Sequence, residues 1–73
     1  MKVKYKNLVK GNVFLYEDKE WVVIESDIFF IARTLDNKLQ LADCDQHRRT
    51  IEVELINYKL DENTLSDIIT ASV

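Results

Sequence analysis

The stretch Gly11–Glu25, GNVFLYEDKEWVVIE, decides how the chain is read. Asn12–Tyr16 and Trp21–Glu25 are two arms rich in Val, Ile and aromatic residues, which fit a pleated sheet surface. Glu17–Glu20 is a short charged connection between them. The spacing predicts a β-hairpin. Alternation gives Val13 and Leu15 one face and Phe14 and Tyr16 the other. On the return arm Trp21, Val23 and Glu25 oppose Val22, Ile24 and Ser26. Both faces are apolar, so the hairpin needs cover on two sides: inside a small closed barrel, or beneath a docked element.

Outward from the hairpin, the chain supplies more short strands. Met1–Tyr5 alternates, with Lys2 and Lys4 on one face, continued by Lys6, and Val3 and Tyr5 on the other. The lysines suit an edge strand, where a charge discourages pairing with another chain. They also suit a phosphate-binding stripe. Asn7–Asn12 is a lead-in turn in which Leu8 or Val9 anchors to the core. Gly11, the only glycine, supplies a positive φ or a bulge there. Ser26-Asp27 is a turn, Ile28–Leu35 an apolar strand with two apolar faces, Asp36-Asn37 a tight turn, and Lys38–Ala42 a return strand. Asp43–Arg49, DCDQHRR, reads as a polar loop. Thr50–Ile56 alternates cleanly, with Ile51, Val53 and Leu55 inward and Glu52 and Glu54 outward. Residues 61–72 form the helix candidate. Asp61 or Asn63 caps it, and Leu65, Ile68 and Ile69 fall at helical spacing.

The fold expected is all-β: a small SH3-like barrel of five to six antiparallel strands with a short C-terminal helix. Residues 1–60 make the barrel and 61–73 a helical segment of the same domain. The apolar stripe Leu65, Ile68 and Ile69 either plugs the open end of its own barrel or docks on a partner or second copy. With 73 residues, 47% of them apolar, the core is small. A single Cys forbids an internal disulfide and points to a reducing, cytoplasmic setting. The start of the sequence lacks a signal-peptide pattern, and no apolar run has membrane-spanning length. A net charge of −3 favours neither nucleic acid nor any other charge-driven partner, which leaves protein surfaces as the leading target.

The order Leu8, Gly11, Val13-Phe14, Tyr16, a charged turn, Trp21, Val23-Ile24, Ala32-Arg33 and Leu35-Asp36-Asn37 resembles that of small SH3-like β-barrels. It looks most like the accessory barrels encoded by tailed bacteriophages and mobile elements. The resemblance covers residues 8–41, about half the chain. It implies an accessory protein that acts by binding a host macromolecule and carries over no catalytic residues.

Cys44 and His47 are three residues apart, but a structural zinc site needs four ligands, and the chain has one Cys and one His. No metal or other cofactor is expected. Cys–His nucleophilic catalysis would need an oriented His47 and a pocket, which a barrel this small rarely builds. The expectation is therefore a non-catalytic protein-binding module that modulates a host protein complex. Its apolar contact residues come from Phe14, Tyr16, Val22 and Ile24, or from Phe29 and Ile31. Arg33, His47, Arg48, Arg49 and the acidic Glu17-Asp18 turn form its rim. The alternative is a nucleic-acid-binding barrel that uses Lys2, Lys4, Lys6, Arg48 and Arg49.

Overall fold

The computed structural model describes residues 1–26, 30–36, 38–43, 46–57 and 59–71. Six strands follow in order: β1 (Lys2–Lys4), β2 (Val13–Tyr16), β3 (Lys19–Glu25), β4 (Phe30–Thr34), β5 (Gln40–Asp43) and β6 (Glu52–Asn57). A single 3-10 turn, Tyr5–Asn7, follows β1. A short helix, α1 (Gln46–Thr50), precedes β6, and α2 (Glu62–Ala71) ends the chain. The strands form one antiparallel sheet in the order β1-β6-β2-β3-β4-β5, curled into a half-barrel. The all-β fold with a short C-terminal helix is the one expected. Strands β2 to β5 form a meander. After α1, β6 returns to pair with β2, and β1 adds outside it.

The β2–β3 register is set by a two-residue turn rather than the four-residue connection expected. Tyr16 pairs with Lys19, Phe14 with Trp21 and Val13 with Val22. Glu17 and Asp18 lie at φ 52° and 63°, both in the left-handed region. Two positive φ values are what a type I′ hairpin turn requires, and asparagine and glycine meet that requirement more easily. The Trp21 indole N–H donates to the Tyr16 carbonyl at 2.9 Å and closes this end of the hairpin.

Directly paired residues share a face, so Phe14, Tyr16, Trp21 and Val23 turn inward together. There they meet Tyr5, Leu8, Phe30, Ala32 and Val53. Tyr5 is the centre of this core: fully buried, edge-on to Phe14 at 5.7 Å and tilted against Phe30 at 4.8 Å. The outer face of the hairpin carries Val13 and Val22. Leu65 of α2 packs on both, flanked by Leu60, Ile68 and Ile69. The helical stripe thus covers the second face of the hairpin instead of plugging the barrel end. Asp61 caps the helix, accepting the Thr64 N–H at 2.6 Å.

Gly11 joins the two layers. It adopts φ +93°, as the turn needed, donates its N–H to the Val23 carbonyl and accepts the Leu60 N–H at 2.9 Å. A Cβ there would stand 3.2 Å from Lys59 Cγ. Leu8 anchors the preceding turn in the core while Val9 stays exposed. Register shifts skip Ile24 in β3 and Ile56 in β6, and such bulges increase local twist and bend the sheet.

Several strand limits differ from those expected. The N-terminal strand stops at Lys4 because Tyr5 enters a 3-10 turn, with its N–H on the Ile51 carbonyl at 2.9 Å. Where a polar loop at 43–49 was expected, α1 begins at Gln46 and takes in Thr50, the first residue of the expected next strand; the helix is too short and too polar to show apolar periodicity. Asp27, Ile28, Phe29, Asn37, Cys44, Asp45 and Ser72, each within an expected turn, strand, loop or helix, lie outside the described residues.

Two outcomes test this packing. Replacing Glu17-Asp18 by Asn-Gly should raise the denaturation midpoint, by about 1 kcal/mol in stability, because left-handed strain is relieved. The Tyr5 hydroxyl has no hydrogen-bond partner among the described residues, and burial raises its pKa well above the usual tyrosine range near 10. Folding therefore favours the protonated phenol, and stability falls as pH rises above the unfolded value. Tyr5→Phe should be neutral or stabilising, up to about 1–3 kcal/mol. It should also flatten the alkaline loss of stability seen in pH-dependent melting.

Candidate functional site

The contact face expected on the hairpin is not on the surface. Phe14 and Val22 are fully buried and Ile24 is 8% exposed. Phe14 lies within the inner core, and α2 covers Val22. Nor do the four proposed residues share one face: the register puts Phe14 and Tyr16 with Trp21, and Val22 on the opposite side. Tyr16 is half-buried against the inner core. Leu65 is likewise spent on its own sheet.

Of the expected rim, Arg33, His47, Arg48 and Arg49 belong to elements beside edge strand β5, whereas the acidic Glu17-Asp18 turn joins β2 to β3 and is not part of this group. Arg33, on β4, pairs in register with Val22 on one side and Gln40 on the other, which places it on the outer face one strand in from the edge. It is half-buried. Arg48, on α1, reaches the Ala42 carbonyl at 3.4 Å. Arg49 makes an ion pair with Asp43 at 3.6 Å, and the Asp43 side chain is only 2% exposed. His47 is exposed on the same helix. The three arginines of the chain thus stand on β4, which pairs with β5, and on α1, whose Arg48 and Arg49 reach Ala42 and Asp43 of β5. Lys38 stands just before β5.

The strand between them has an open edge. Thr34 donates its N–H to the Leu39 carbonyl at 3.1 Å, which makes Leu39 a hydrogen-bonded partner of β4. By the antiparallel alternation, Leu41 and Asp43 also face β4 with their main-chain groups. Gln40 and Ala42 direct their N–H and C=O groups away from the sheet. Both are exposed and uncharged. The opposite edge differs: Lys2 and Lys4 project from β1 and sit in register with Glu54 and Glu52 of β6. That pairing of opposite charges places acidic side chains beside the lysine stripe.

At the start of β5 a cleft of about 470 Å³ lies between the β4–β5 turn and the beginning of β3. Lys19, Glu20, Leu35, Asp36, Lys38 and Leu39 line it, with Thr34 at its base. Leu35 and Leu39 are 40% and 44% exposed. The turn is held by Thr34. Its hydroxyl donates to Asp36 Oδ1 at 2.6 Å and accepts the N–H groups of Lys38 and Leu39, each at 3.1 Å. The hydrogen bond from Thr34, then that from the Lys38 N–H, holds the Asp36 carboxyl below its usual pKa.

The sequence pointed to the arginines and to a return strand at 38–42, observed as β5, but not to that strand's place at the sheet edge, because periodicity does not tell an edge strand from an inner one. Cys44 lies outside the described residues, so the Cys44–His47 pair is not placed. No described helix is long and apolar enough to cross a membrane. Comparisons with protein families, with curated proteins and with solved structures return no match.

Thr34→Val keeps the shape of the buried side chain and removes its hydrogen bonds. It should cost about 1–3 kcal/mol in chemical denaturation. Asp36 stabilises the folded state above its unfolded pKa, and that contribution is lost as pH falls through the lower folded value. In Thr34→Val the Asp36 carboxyl, followed by NMR titration, should move up toward 3.8.

Proposed function

We propose that this protein is a non-catalytic protein-binding module whose contact surface is the β5 edge with its flanking arginines. The observation that carries the reading is that Arg33, paired in register with Gln40, and Arg48, at the Ala42 carbonyl, stand beside the uncharged Gln40–Ala42 part of the β5 edge in a chain of net charge −3. Arginine is enriched at the energetic centres of protein interfaces, where its planar donors bind carboxylates and main-chain carbonyls. The cleft beside it adds exposed Leu35 and Leu39 within a charged rim, the usual arrangement of an interface core. The resemblance of residues 8–41 to accessory barrels of tailed bacteriophages and mobile elements supplies the setting: a cytoplasmic accessory protein that covers a site on a host protein complex and modulates it.

The alternative, a nucleic-acid-binding barrel, draws on the same arginines together with Lys2, Lys4 and Lys6. Two observations weigh against it. Lys2 and Lys4 lie beside Glu54 and Glu52, and the inward aromatics Phe14, Trp21 and Phe30 are buried and offer no stacking platform.

The test is affinity capture from a host lysate with the native chain and with the Arg33→Glu/Arg48→Glu variant. A specific partner should be retained by the first and weakened roughly tenfold or more in the second. Salt-sensitive binding of single-stranded or duplex nucleic acid, with no retained protein, would overturn the reading in favour of the alternative.

A further inference from the structure

Resting on that reading, we propose that the β5 edge binds its partner by strand addition, taking an extended acidic segment of the partner protein as a seventh strand. Two independent features of the edge define the occupant. The first is main-chain geometry. Gln40 and Ala42 present outward N–H and C=O groups at the two-residue repeat of a strand, which an extended polypeptide can pair with and a nucleic-acid backbone cannot. Proteins commonly shield such edges with charged side chains. Edge strand β1 follows that rule with Lys2 and Lys4; β5 carries Gln40, Leu41 and Ala42 in their place.

The second feature is charge. Along the outer face the row runs Val22, Arg33, Gln40, and then the position that a new strand would occupy. Arg48 stands at the Ala42 carbonyl. An acidic side chain in the added strand lies beyond Gln40 on the row that holds Arg33 and near the Ala42 carbonyl that holds Arg48. Arg48 then exchanges a long 3.4 Å bond to a neutral carbonyl for a carboxylate, and the Ala42 carbonyl takes a main-chain N–H in its place. Asp43 does not oppose this, because its carboxylate is buried and engaged with Arg49.

The probe is a blocked eight-residue peptide alternating Glu with Val, titrated into the isotopically labelled chain by NMR at up to millimolar concentration. Two control peptides accompany it, one with alternate backbone amides N-methylated and one with Lys in place of Glu, and an oligothymidylate of similar length stands in for nucleic acid. The Glu peptide should shift the Gln40 and Ala42 amides and slow their hydrogen exchange. N-methylation should abolish the effect, and the Lys peptide should bind roughly tenfold more weakly or not at all. Gln40→Pro removes one outward N–H without breaking a bond to β4, a position where proline is tolerated, so its melting temperature should stay near that of the native chain while peptide binding is lost.

No response from the Glu peptide, shifts confined to the arginine side chains, or equal binding of the Lys peptide would each overturn strand addition. So would preferential binding of the oligothymidylate, or a dimer in light scattering that Gln40→Pro dissociates, which would make a second copy the occupant. A lysate partner lost with Arg33→Glu/Arg48→Glu but kept by Gln40→Pro would leave the protein-binding reading standing and remove strand addition alone.

Discussion

The β2–β3 hairpin must be buried on both faces, and most of the remaining structure answers to that requirement. Its register sends Phe14, Trp21 and Val23 to one side and Val13 and Val22 to the other. The inner side is met by curling the sheet so that β4, β6 and the Tyr5 turn close over it. The outer side is met by α2, which brings Leu65 down onto the valine pair. Neither cover is sufficient alone: a sheet of this size exposes one face unless another layer lies on it. Gly11 bonds to Val23 on one side and to Leu60 on the other, so the same residue ties the hairpin to the segment that enters α2.

This economy has costs that show in local chemistry. Tyr5 fills the centre of the aromatic core, and its hydroxyl finds no partner among the described residues. The tight hairpin turn is made by Glu17 and Asp18 in left-handed conformations, without the glycine that would adopt them more easily. The β4–β5 turn is instead held by a buried threonine hydroxyl that serves two N–H groups and a carboxylate. Hydrogen bonding there does what glycine or proline does in other turns.

The half-barrel leaves two strand edges, and they are treated differently. On β1, lysines guard the edge and glutamates of β6 accompany them. Beside β5, α1 and β4 contribute arginines, but the strand itself carries no guard. The difference separates an edge shielded by its own charges from one that carries none at Gln40, Leu41 and Ala42. The arginines also act within the fold: Arg49 neutralises a buried carboxylate and Arg48 bonds a carbonyl that would otherwise face solvent. Surface and scaffold overlap at this point.

By itself the sequence determined the class of the fold, because two-residue alternation in 1–5, 13–16, 21–25 and 50–56 and the capped apolar repeat after Asp61 are local properties. It also singled out Gly11 for a positive φ or a bulge, of which the positive φ is observed. The tertiary structure decided that both apolar faces are covered, the inner by the curled sheet and the outer by α2, since cover depends on where those elements land and not on the hairpin's own pattern. Phe14, Val22 and Ile24 therefore moved from surface to interior. It also decided that β5 is an edge and that Arg33 and Arg48, distant in sequence, stand beside it. Strand order is a long-range property: the same alternation describes a strand with two neighbours or one, and only the assembled sheet shows which main-chain groups remain open.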